Sequence, residues 1–189
     1  MFKIAGRKVA VAARRFLPTS VMRRFSRRQD GVAAVEFALV AAPFLALVFA
    51  IMESAMVFFA GQALETAVSD SARLILTGQA QTQGFDQAAF KTQVCNKIYG
   101  LFDCATGLSV DVKTYNSFSA VNVAYPIDAN GNLINNFTYQ PGGPGDIVVV
   151  RLIYQWPMYV SLLNLHIGNM AGNKKLLVAT AAFRNEPYQ

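Results

Sequence analysis

Histidine is almost missing from this sequence, with His166 the only one, and there are two cysteines, one tryptophan and only 15% charged residues. Each shortage excludes a class of chemistry. One imidazole and the thiols of Cys95 and Cys104, nine positions apart and without a CxxC neighbour, fall short of the four ligands of a structural zinc site. No metal and no cofactor are therefore expected. The chain has no GxSxG, no HExxH, no phosphate-binding GK(S/T) loop and no cluster of acids, so no acid–base pair is assembled. The expectation is a non-enzyme without a small-molecule substrate, in which His166 is a surface or partly buried side chain. Asn136-Phe137-Thr138 fits a glycosylation acceptor, but so short a pattern arises by chance. Internal repeats and low-complexity tracts are also lacking.

What is abundant is apolar: 53% of the 189 residues are hydrophobic, too many for a disordered chain. The net charge of +6 is unevenly placed. Residues 1–30 carry nine Lys or Arg against one acid, Asp30, whereas the rest carries eight bases and ten acids. A uniformly basic domain would suggest nucleic acid. Here the excess sits in a short arm directly before a long apolar run, where it sets membrane orientation, and no nucleic-acid partner is expected. The arm is interrupted by Pro18, lacks the apolar core of a secretory signal, and reads as an unstructured cytoplasmic segment whose arginines meet anionic lipid.

The apolar run begins at Val32 and passes Phe59, with sixteen uncharged residues from Phe37 to Met52. A helix over Val32–Ala60 is about 43 Å long, enough for a hydrocarbon core of about 30 Å. Pro43 lies within it and is expected to kink it or loosen one backbone bond. The basic arm places the N-terminus in the cytoplasm and the C-terminal part outside, as in a single-pass inner-membrane protein with a periplasmic domain. Beyond the span, Leu64, Ala67, Val68, Ser71, Ala72 and Ile75 recur at helical spacing, with Glu65, Ser69, Asp70 and Arg73 on the other face. This predicts an amphipathic continuation ending near Gly78.

A second, short helix is expected over Asp86–Gly100, with apolar Ala89, Phe90, Val94, Ile98 and Leu101. The period then changes to two. Leu108, Val110 and Val112 alternate with Ser109, Asp111 and Lys113, and predict a half-buried strand. Val121–Tyr125 is a shorter candidate, Ile147–Trp156 the strongest strand, ended by Pro157, and Leu176–Phe183 a last one. Asn130-Gly131 and Pro141–Gly145 are turn signals, and Ser161–Leu165 reads as one helical turn. Helices followed by strands in runs give an α+β fold, a long N-terminal transmembrane helix continuing into a small extracytoplasmic head with an antiparallel sheet and a helix against one face. The domain reading is a leader at 1–31, a span at 32–60 and a head at 61–189. If the head is extracytoplasmic, Cys95 and Cys104 are expected to form a disulfide, the alternative being two buried free thiols.

The most informative stretch is Gly31-Val-Ala-Ala-Val-Glu-Phe37. Glu36 lies near the start of a membrane helix, where an ionised acid costs several kcal/mol unless it is near an interface or paired. One reading leaves Glu36 wet at headgroup level. In the other, a cut after Gly31 gives Val32 a free α-amino group one helical turn away, able to pair with Glu36 of the same or a neighbouring subunit and so set helix register.

The basic leader, a glycine, a glutamate at the fifth position beyond it followed by an aromatic, and then an apolar helix mark type IV pilin-like proteins. The version here, Gly31-x-x-x-x-Glu36-Phe37 running into Ala38-Leu39, resembles the TadE family, minor pseudopilins of the tight-adherence (Tad/Flp) pilus system. The resemblance continues through Gln62-Ala63-Leu64, Ala67-Val68 and Ser71-Ala72-Arg73, and returns at Phe183–Tyr188. It implies a pilin-like fold and cleavage between Gly31 and Val32 by a prepilin peptidase, a membrane aspartic peptidase. It also implies an assembly role for Glu36 and Phe37, with the lipid bilayer, other pilin-like subunits and the Tad machinery as partners in building or priming a pilus for surface attachment. Glu53 departs from the charge-free helix of many members and is placed at the outer interface, the twenty-second residue counted from Val32. An uncleaved single-pass scaffold subunit of a secretion or pilus apparatus is the alternative, with the same topology and no use for Gly31.

Overall fold

The computed structural model describes residues 31–98, 100, 102–159 and 168–188. The arm at 1–30, Leu101, His166 and the helical turn expected at Ser161–Leu165 lie outside the described residues. Helix α1 spans Val32–Leu76, followed by α2 (Gln79–Thr82), α3 (Gln87–Cys95), β1 (Leu108–Tyr115), a 3-10 turn at Phe118–Ala120, β2 (Ile147–Pro157) and β3 (Lys174–Arg184). The fold class is α+β, as the run of helices before strands predicts. The chain divides into two compact units, Met1–Leu45 and Ala46–Gln189.

In the first unit, the described part of α1 carries its side chains outward, and Val35, Phe37, Leu39, Val40 and Phe44 are all exposed. In the second unit the helix becomes one-sided. Its buried residues, Glu53, Val57, Ala60, Leu64, Ala67, Val68, Ser71, Ala72 and Ile75, follow the three- and four-residue steps of one helical face. Glu65, Ser69, Asp70 and Arg73 are exposed on the other, as the spacing predicts. The Ser71 hydroxyl bonds back to the Ala67 carbonyl, so its burial leaves no orphan donor. The helix stops where Gly78 takes a left-handed conformation (φ 77°).

The sheet has the order β1-β2-β3, all antiparallel, with Val110 opposite Leu152 and Leu152 opposite Ala179. β2 is central, and it is buried along almost its whole length, Val148–Tyr154. That explains why it reads as a continuous apolar run rather than as an alternation: both of its faces are covered. One face, with Val110, Val112, Val150, Leu152, Tyr154, Trp156, Leu177 and Ala179, forms a single core with the buried stripe of α1 and with Phe90 and Val94 of α3. Fully buried side chains such as Leu64, Ile75 and Phe90 each contribute about 2–3 kcal/mol of apolar transfer to it.

The other face carries the buried pair of positions Asp111 and Arg151, which sit opposite each other in register. Asp111 accepts the Thr138 N–H (3.0 Å) and pairs with Lys113 (3.1 Å), and Arg151 donates to the Ala124 carbonyl (2.8 Å). These bonds fasten the long β1–β2 connection over the sheet. The same connection runs parallel to β1 at Thr138–Gln140, where Val112 exchanges two backbone bonds with it and the edge of β1 is covered. Tyr139 packs on Phe90 at 5.5 Å, and burial, then the Asp86 carboxylate, pushes its phenol up to about 12.

Val121–Tyr125 is not a strand: apart from the 3-10 turn before it, the segment has no ladder partner, and Ala124 spends its carbonyl on Arg151. The helix expected over Asp86–Gly100 is shorter, Gln87–Cys95, with Asp86 capping the Ala89 N–H at 2.7 Å. The turns at Asn130-Gly131 and Pro141–Gly145 are present, with Gly131, Gly142 and Gly145 all at positive φ. Three strands form among the described residues.

Cys95 and Cys104 are bonded, with Cα atoms 5.8 Å apart. The bridge ties the end of α3 to the loop before β1. In that loop Phe102 stacks edge-on against Tyr154 (4.8 Å), and the Asp103 N–H donates to the Tyr154 hydroxyl. The Thr106 hydroxyl, bonded to the Asp103 carboxylate, holds that acid below the usual range. Closing so short a loop stabilises the folded state by about 2.5–3 kcal/mol through chain entropy. Replacing both cysteines by alanine is expected to lower the thermal midpoint of the head by about 6–10 °C, measured by calorimetry under oxidising conditions. A shift below 2 °C would mean that packing around Phe102 already orders this loop.

Candidate functional site

Gly31 immediately precedes α1, and Val32, Glu36 and Phe37 lie in its first two turns. Val32 and Glu36 are four residues apart, so they share a face and are separated by about 6 Å along the axis. Both are exposed, and Phe37 is 74% exposed. Among the described residues no group bonds the Glu36 carboxylate, although it opens a stretch whose next acid is Glu53. An added Cβ at Gly31 meets nothing within 4 Å among the described residues. Packing among the described residues therefore does not explain the glycine.

The contrast with Gly78 makes the point. Gly78 has a positive φ, and a Cβ there would lie 2.2 Å from the Tyr188 ring. The fold demands that glycine. Among the described residues nothing makes such a demand on Gly31.

Glu53 has a different setting. It is 9% exposed and accepts the backbone N–H of Tyr159. Sequence reading placed it at the outer interface and had no means of naming this donor, which is 106 positions away.

Elsewhere the surface offers little chemistry. An open groove of about 500 Å³ is lined by Asp86, Gln87, Lys91, Leu108, Val110 and Phe137, among others. Its polar groups already serve the fold: Asp86 caps α3, Gln87 donates to the Val110 carbonyl and Lys91 to the Ala105 carbonyl. No group of three His, Cys, Asp or Glu side chains that would hold a metal occurs among the described residues.

Residues 31–73 match the family model TadE, TadE-like protein. The match opens on Gly31, takes in Glu36 and Phe37, and closes on Arg73 in the last turn of α1. It covers the apolar helix and most of its amphipathic continuation, and it carries an implication of a Tad pilus-associated role. No curated protein and no solved structure matches the chain at a significant level. Phe183–Tyr188 lies beyond the TadE-like stretch, and the structure gives it a packing role. Asn185 donates to the carbonyls of Pro141 and Gly143, Glu186 N–H donates to Leu76 at the end of α1, and the Tyr188 hydroxyl reaches Gly142. The tail thus clamps the Pro141–Gly145 turn to the helix end. The sequence marks Gly78 as the end of the helix and Phe183–Tyr188 as part of the resemblance, but not the clamp itself, which joins segments more than forty positions apart.

Alanine at Gly31 is expected to leave the head's stability unchanged within about 0.5 kcal/mol, whereas Gly78→Ala should cost about 2 kcal/mol or more, through left-handed strain and the Tyr188 clash. Denaturant unfolding of the two variants checks this. A loss at Gly31 as large as that at Gly78 would give Gly31 a structural reason.

Proposed function

We propose that this chain is a minor pilin or pseudopilin needed to assemble a Tad/Flp-type pilus used in surface adherence, processed by a prepilin peptidase after Gly31. The observation that carries the reading is the combination at the start of the TadE-like stretch: a glycine that the described packing does not require, five positions before an exposed, unbonded carboxylate on an exposed apolar helix. α1 is long and apolar enough to cross a membrane by length and composition. In this reading residues 1–31 are a cytoplasmic leader, 32–60 the inner-membrane span and 61–189 a periplasmic domain, oriented by the basic arm. The disulfide suits an oxidising compartment.

The mechanism is structural, not catalytic. Hydrolysis of the Gly31–Val32 bond leaves an ammonium on Val32, one turn from Glu36. Before assembly the mature helix waits in the bilayer. During assembly, Ala33, Ala34, Ala38, Ala41 and Ala42 let the helices of neighbouring pilin-like subunits approach closely, and pairing of Glu36 with a neighbour's Val32 ammonium sets the axial stagger. Phe37 packs at the same contact. The uncleaved scaffold would share this topology, but it gives no role to Gly31.

Gly31→Leu is expected to leave full-length protein in membranes and abolish piliation. Glu36→Ala should be cleaved at close to the normal rate and assemble at least tenfold less, since a lost charge pair in low dielectric is worth about 1.5 kcal/mol or more. Immunoblots of processing and counts of surface pili read both. Normal pili from the uncleaved Gly31→Leu chain would return the scaffold reading, and normal assembly with Glu36→Ala would remove the register role.

A further inference from the structure

The apolar exposure of α1 does not stop where the head begins. On its outward side Ile51, Met52, Met56, Phe58 and Phe59 are exposed, Phe58 by 80%. The exposed residues then turn polar at Gln62 and stay so through Glu65, Thr66, Ser69 and Asp70. Over the same turns the inward side, Glu53, Val57 and Ala60, is buried within the head. One stretch of helix therefore presents lipid-compatible side chains outward while it packs against the head inward. A bilayer that covers Phe58 and Phe59 must also meet the part of the head that sits at their depth.

That part is the end of β2. Tyr159 gives its backbone N–H to Glu53, yet Tyr159 is 81% exposed. The residue before it is fixed in place: the Met158 N–H donates to the Asn173 carbonyl (3.0 Å), and the Asn173 side-chain amide donates to the Met158 carbonyl (2.8 Å). The tyrosine is thus held outward on a braced backbone. Counted along the helix from Val32, Glu53 lies about 32 Å up and Phe59 about 40 Å. A hydrocarbon core is about 30 Å thick, and the bilayer with headgroups about 40–45 Å. With Val32 in the inner headgroup layer, about 4 Å below the hydrocarbon, Glu53 then falls at about 28 Å, near the outer rim of the hydrocarbon, and Phe59 at about 36 Å, within the outer headgroup layer.

We infer that the β2 end, centred on Tyr159, is a second membrane contact, seated in the outer interfacial layer at the level of Glu53, with the lipid bilayer as its partner. This rests on the reading of α1 as a membrane span. A tyrosine ring, apolar in body and polar at its tip, suits that layer. A carboxylate at the hydrocarbon rim needs a donor, and a backbone N–H there needs an acceptor. The Glu53–Tyr159 bond satisfies both at once. The contact restrains the head against the membrane instead of leaving it to swing on a single helix, and so presents the remaining surface in a set orientation.

The test uses the full chain in phosphatidylcholine vesicles, with and without bromine at the 6 and 7 positions of one acyl chain. Trp156 is the only tryptophan, so Tyr159→Trp combined with Trp156→Phe makes a single reporter, and Asp70→Trp in the same background makes a control on the polar face of α1. Resistance of the vesicle-bound protein to alkaline carbonate is read first. The expected result is retained protein in which the reporter at 159 emits to the blue, is quenched by bromolipid and is spared by iodide, while the reporter at 70 shows the reverse. The unmodified chain gives a second reading that does not depend on exchanging Trp156, whose emission should fall in brominated vesicles. Release by carbonate would overturn the membrane span and this contact with it. Retained protein in which the reporter at 159 is quenched by iodide, or by neither agent, would overturn the contact alone; protection from both would point to a protein neighbour there.

Discussion

A carboxylate placed in an apolar helix needs a partner or a place at the interface, and the apolar part of α1, up to Phe59, carries two such groups, Glu36 and Glu53. Glu53 is met within the fold, by the Tyr159 N–H. Glu36 is not met by any described residue. The difference separates two kinds of requirement. Glu53 is a solved problem of a single chain, and its burial helps fix how the end of β2 sits against the helix. Glu36 is a problem that the described chain leaves open, and in the proposed reading an ammonium created beside it by hydrolysis, or supplied by a neighbouring subunit, would close it.

The head is built so that the helix is held along its whole inner stripe. β2 supplies the central rail of the sheet, covered by α1 and α3 on one face and by the β1–β2 connection on the other. The disulfide fastens α3 to the loop entering β1, and the C-terminal tail fastens the Pro141–Gly145 turn to the last turn of α1. Both fastenings act at ends of elements, where backbone groups would otherwise be left without partners.

Much of this was legible in the sequence because it is periodic or local. The three- and four-residue recurrence from Leu64 to Ile75 named the buried face of α1 residue by residue, and the change to alternation at Leu108 located β1. Gly31, Glu36 and Phe37 stood out since a charge in an apolar run is visible without a structure. What escaped is non-local. Val121–Tyr125 alternates as a strand should, but pairing needs a free edge, and β1 gives its edge to Thr138–Gln140. The donor to Glu53, the clamp of Asn185 on Pro141 and Gly143, and the ring of Tyr188 over Gly78 all join residues far apart in the chain. Glycine itself was ambiguous: Gly31 and Gly78 look alike in sequence, and only the surroundings show that one is needed by the fold.

The central claim is that Glu36 is tolerated because the bond after Gly31 is cut. N-terminal sequencing of the protein recovered from the membranes of piliated cells tests it most directly. The account predicts a first cycle of valine, followed by Ala-Ala-Val-Glu. A chain that still begins Met-Phe-Lys in cells bearing functional pili would contradict it.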